Sequence, residues 1–115
     1  MDVAARDAYV YEAELELAPG VDSRAPGGAV TVALCGHWEH EGPCRWPHNS
    51  EIDTDASPAR LRTVFACGSD EVDDVHHAID AAVRGTADWT VGKAERRALR
   101  GDEVDLGARL AETPT

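Results

Sequence analysis

Tyr9-Val10-Tyr11-Glu12-Ala13-Glu14-Leu15-Glu16-Leu17 alternates without a break. Tyr9, Tyr11, Ala13, Leu15 and Leu17 fall on one side of an extended chain, and Val10 and the three glutamates fall on the other. A period of two over nine residues predicts a strand with one buried and one wet face. Pro19-Gly20 ends it, and the composition of residues 18–28 predicts a loop. Residues 29–38 alternate again, with Val30, Val32 and Leu34 in line, and predict a second strand paired with the first as an antiparallel hairpin. Pro43, Pro47 and Pro58 break up residues 39–59, which read as a long loop. Residues 60–67 predict a third strand, with Leu61, Thr63, Phe65 and Cys67 on one face.

Gly68-Ser69-Asp70 then opens a helix. Val72, Val75, Ile79, Ala82 and Val83 recur at helical spacing, acids crowd the first turn where the helix dipole favours them, and Gly85 supplies the stop. Residues 93–100 and 103–111 read as short helices split by Gly101-Asp102. The expected class is α+β: a small antiparallel sheet of three or four strands, one main amphipathic helix on one face, and short C-terminal helices.

The 115 residues amount to a single domain, with 11 basic and 22 acidic residues and a net charge of −11. Such a charge repels nucleic acid and anionic membranes, so neither is expected as a partner. Residues 1–92 hold six arginines against 17 acids and form an acidic body; residues 93–115 balance five bases with five acids. Lys93, Arg96, Arg97 and Arg100 are spaced to share a helix face, either solvated or docked on an acidic surface. No apolar run is long enough to span a membrane, and the N-terminus lacks the basic and apolar stretch of a signal peptide, so the expected location is cytoplasmic.

The densest chemistry lies in Cys35-Gly36-His37-Trp38-Glu39-His40-Glu41-Gly42-Pro43-Cys44-Arg45-Trp46-Pro47-His48. Thiolate and imidazole are the preferred donors for zinc, which takes four of them tetrahedrally. Cys35, His37, His40, Cys44 and His48 form the candidate ligand pool, with Cys67 a further donor from elsewhere in the chain. The histidines with Glu39 or Glu41 could instead make a two-histidine, one-carboxylate iron site; the cysteines favour zinc. The spacing matches no zinc-finger or zinc-hydrolase pattern. The first expectation is thus a small metal-binding domain, structural or catalytic. The alternative is a protein- or small-ligand-binding domain whose contact surface includes Trp38 and Trp46. Oligomeric state stays open.

Other chemistries are weaker. Cys35 or Cys44 with His37 or His40 as base would place nucleophile and base in one short loop, where positioning is poor. An odd cysteine count in a reducing compartment argues against a disulfide framework, although a Cys35–Cys44 bridge is conceivable. Cys67 reads as core. His76 and His77 point about 100° apart on a helix, the first at the core boundary and the second in solvent. No phosphate-binding glycine loop and no calcium loop is present.

Overall fold

The computed structural model describes residues 6–35 and 46–112. Its elements are β1 (Arg6–Leu17), α1 (Ala25–Cys35), β2 (His48–Asp53), β3 (Ala59–Gly68), α2 (Val72–Arg84), β4 (Trp89–Arg97), a 3₁₀ turn (Gly101–Glu103) and α3 (Val104–Glu112). The strands form one antiparallel sheet in the order β2-β3-β1-β4. This is the doubled split β-α-β order of ferredoxin-like topologies, a frame that hosts many unrelated activities. The α+β class with a four-stranded antiparallel sheet holds. Among the described residues there are three α-helices, as expected in number, but α1 is new and the expected 93–100 helix is absent.

The alternation of β1 sorts the layers. Tyr11, Ala13 and Leu15 are buried under α1 and α2, together with Leu61, Phe65 and Cys67 of β3. Val75, Ile79 and Val83 form the predicted buried stripe of α2, each fully inaccessible. Burying side chains of this kind contributes about 1.5–3 kcal/mol apiece. The opposite face of the sheet is only partly wet, because α3 lies on it: Val10, Val64 and Ala66 are buried there. Gly107 permits that approach, since a Cβ at this position would stand 2.8 Å from the Ala8 Cβ. Beside the apolar patch, Arg62 donates to Glu12 Oε2 at 2.6 Å and to both carboxylate oxygens of Glu103 at 2.6 and 2.8 Å.

Three elements differ from expectation. Residues 25–35 form a helix rather than a second strand. Pro26 fits the first turn, and Pro26, Val30 and Leu34 sit four apart and are buried. Val30-Thr31-Val32-Ala33-Leu34 satisfies both periods, and packing beside α2 decides for the helix. The expected hairpin is therefore absent: β1 pairs with β3 and β4. Within the expected loop 39–59, His48–Asp53 is a strand, whose largely polar sequence hid it. Residues 93–97 belong to β4, so the basic residues do not share a helix face. Strand alternation sends Arg96 to Asp73 of α2 at 2.9 Å and Arg97 to Glu12 at 3.5 Å. The C-terminal helix is present as α3. Among the described residues no helix is long and apolar enough to cross a membrane.

Candidate functional site

β2 pairs with β3 on one side and ends the sheet on the other, among the described residues. The ladder fixes which of its backbone groups point outward. The Ala66 N–H donates to the Pro47 carbonyl at 2.9 Å, which marks that pair as hydrogen-bonded. Antiparallel pairs alternate, so Asn49, Glu51 and Asp53 turn their N–H and C=O groups toward β3. His48, Ser50 and Ile52 turn theirs away from it. Their side chains share the face that carries α1, while Asn49, Glu51 and Asp53 stand on the face that carries α3.

A cleft of about 450 Å³ opens between α1 and this edge, lined in part by Arg24, Gly27, Thr31, His48, Ser50 and Glu51. Asn49 and Ile52 line it too. Since Asn49 and Glu51 point to one face and Ser50 and Ile52 to the other, the cleft runs over the outer edge of the strand. Gly27 brings α1 close, for a Cβ there would lie 3.3 Å from the Ser50 Cβ. Its wall mixes apolar Ile52 and Leu61 with Ser50, whose hydroxyl is 2.8 Å from that of buried Thr63. Arg24 at the rim is paired with Asp22 at 2.9 Å.

His48 stands at one end of the cleft with both ring nitrogens engaged. Nδ1 is 3.0 Å from the Trp46 carbonyl, which only accepts, so Nδ1 carries the proton. Nε2 stands 3.0 Å from the Thr31 hydroxyl. That hydroxyl also lies 3.2 Å from the Gly27 carbonyl. Both ring nitrogens are thus engaged within the fold, and the imidazole ties α1 to β2.

The reading of the chain as a metal-binding domain is corrected. Among the described residues no group of three or more His, Cys, Asp or Glu side chains could hold a metal ion. Of the pool Cys35, His37, His40, Cys44 and His48, only the His48 side chain is described. His37, His40 and Cys44, with Trp38, Glu39 and Glu41, lie outside the described residues, as does the side chain of Cys35. The nucleophile-and-base and disulfide readings fall on the same residues. Cys67 is no further donor: it is 1% exposed in the core, and burial pushes its thiol up to about 11. Trp46 packs half-buried against the core cluster. Thr31, Ser50 and Thr63 were not foreseen. Of these only Ser50 has a signal in the sequence, the polar residues His48, Asn49, Ser50, Glu51 and Asp53 around a single isoleucine, the composition of an exposed edge strand.

A second cluster is better suited to stability than to chemistry. The Tyr11 hydroxyl donates to Asp80 Oδ1 at 2.7 Å, Arg84 donates to the same carboxylate, and the His76 ring packs edge-on to Tyr11. Burial, reinforced by the bond to Asp80, pushes the Tyr11 phenol well above its ordinary 10. Burial and then Arg96 push His76 down, so its ring is neutral near pH 7. His77 is exposed, as expected. No family model, no curated protein and no solved structure matches the chain.

Proposed function

We propose that the chain is a binding module that takes up an extended segment of a partner protein along β2. The observation that carries this reading is the outer edge of the strand. The N–H and C=O groups of Ser50 and Ile52 point away from β3, with no strand beside them among the described residues, and the α1 cleft opens over them. Backbone groups of this kind gain by pairing with an added strand, while alternate side chains of the guest enter a neighbouring groove. A strand of six residues at about 3.3 Å per residue offers some 20 Å of docking length. β4, the other edge, is less receptive: its register with β1 breaks between Ala13 and Leu15, and Lys93 and Arg97 lie along it. The net charge of −11 disfavours nucleic acid and anionic membrane as occupants.

The test is selection from a displayed library of random peptides about nine residues long, followed by binding measurements in solution. Ser50→Pro serves as the comparison, because it removes an outward donor and leaves the β3 ladder intact. The expected result is a set of peptides that bind the native chain and fail on Ser50→Pro while that variant stays folded. Peptides that bind both proteins equally, or no enrichment over the variant, would overturn the reading.

A further inference from the structure

We infer that the segment taken up by β2 is basic on alternate residues, with small or apolar residues between them, an assignment that rests on the edge-binding reading above. A guest strand inherits the two faces of the sheet. On the α1 side its residues would enter the cleft among Thr31, Ser50 and Ile52, where each hydroxyl already has a partner and the Arg24 charge is matched by Asp22. Nothing there calls for a charged side chain. On the α3 side its residues would stand beside Asn49, Glu51 and Asp53. A hollow of about 380 Å³ lies against this face, bordered by Glu12, Glu51, Asp53, Arg60, Arg62 and Arg100.

The ion pairs of this neighbourhood decide its sign. Arg62 is spent between Glu12 and Glu103, and Arg60 leans on Glu12 at 3.9 Å. Among the described residues these pairs leave Glu51, Asp53 and neighbouring Asp55 without a cation in contact; Asp53 accepts only the Asp55 and Ala56 backbone N–H groups. Three arginines and three acids border the hollow as a whole, with Arg100 among them; the acidic excess lies on β2 itself, in Glu51 and Asp53, which a guest strand would stand beside. Lysine or arginine on alternate guest residues would meet Glu51 and Asp53 directly. The charge of the whole chain would draw such a segment in and would repel a second copy presenting the same edge.

The experiment compares three peptides of about nine residues on the full chain: lysine alternating with threonine, glutamate alternating with threonine, and the lysine peptide's composition rearranged into two blocks. Binding is read by fluorescence anisotropy, and site by amide exchange. The alternating lysine peptide is expected to bind about tenfold more tightly than either other peptide, the scale of two exposed ion pairs acting together. It should slow exchange at Ser50 and Ile52, and the double variant Glu51→Lys/Asp53→Lys should abolish the preference. Equal binding of the block peptide would reduce the effect to bulk charge and overturn the inference. Library-selected peptides that protect Ser50 and Ile52 without favouring basic residues would overturn the inference and leave edge binding standing. If those amides are never protected by any peptide, or are protected by self-association at working concentration, edge binding fails with it.

Discussion

Arg62→Met tests whether the charged cluster beneath α3 fastens the C-terminal segment to the sheet. Arg62 is 8% exposed, and the side chains of Glu12 and Glu103 are 16% and 12% exposed. Beyond the two carboxylates, its guanidinium also donates to the Ala98 carbonyl at 2.9 Å. Methionine keeps most of the stem and removes every donor, leaving the Glu103 carboxylate without its side-chain cation in a mostly dry place and Glu12 with only its longer contacts to Arg97 and Arg60. Breaking a buried pair from one side costs about 3–5 kcal/mol. The acid–base equilibrium gives a similar size. The hydrogen bonds from Arg62, helped by the backbone N–H and charge of Arg100, hold the Glu103 carboxyl at about 2, against an ordinary 4.5, a difference that contributes about 3 kcal/mol at neutral pH, of which Arg62 supplies the largest share. Because the folded value is the lower one, this contribution is complete above the ordinary value and is lost as pH falls through 4.5 toward 2. Urea unfolding should therefore show a loss of about 3–5 kcal/mol at neutral pH and a clearly smaller one at about pH 3. Adding Glu12→Gln and Glu103→Gln to the methionine variant should recover more than half of the loss, since no charge is then stranded. A neutral-pH loss below about 1 kcal/mol, or equal losses at both pH values, would refute the reasoning.

Ile79→Ala empties a fully buried position on α2 and should cost about 2–5 kcal/mol in urea unfolding; a change below about 0.5 kcal/mol would mean that the helix does not pack by this stripe. Gly107→Val drives a side chain into Ala8 and Leu99, so α3 should lift, with a loss of about 1–3 kcal/mol and faster amide exchange in α3 but not in α2. Cys67, buried and with its thiol raised, should resist alkylation at about pH 8 in the native chain and react readily in concentrated urea; equal rates, read on the peptide that carries it, would contradict its place in the core.

β1, β3 and α2 were legible because each buries a face whose period shows in the letters. Tyr9 to Leu17 alternates over a long stretch, and Val75, Ile79 and Val83 fall four apart. α1 was misread because Val30 and Leu34 fit both periods, and only the placement of α2 beside it settles which applies. β4 was misread because its inward row, Trp89, Val91 and Ala94, skips a residue where the register with β1 shifts; an irregular spacing resembles no strand. β2 offers a single strongly apolar residue, Ile52, since an edge strand under a short helix buries little. The cysteines and histidines before it carry the stronger chemical signal. His48 was singled out as a ligand, yet its ring nitrogens are engaged by Thr31 and the Trp46 carbonyl. The groups that make the edge a candidate site are main-chain atoms, which every residue owns, so no residue type could announce them.

β1 is the first strand along the chain and lies in the interior of the sheet, with Tyr11 opposite Thr63 on one side and Arg96 on the other. A growing chain must therefore carry the apolar row of Tyr11, Ala13 and Leu15 unmated until β3 has been made, and half-mated until β4 has. Contacts so distant in sequence slow folding, because the intervening chain must first be gathered in. The β2–β3 hairpin and α2 are the parts that can form from near neighbours. β1 then serves as a keystone: deleting it would not trim the sheet but divide it into a hairpin on one side and a solitary strand on the other.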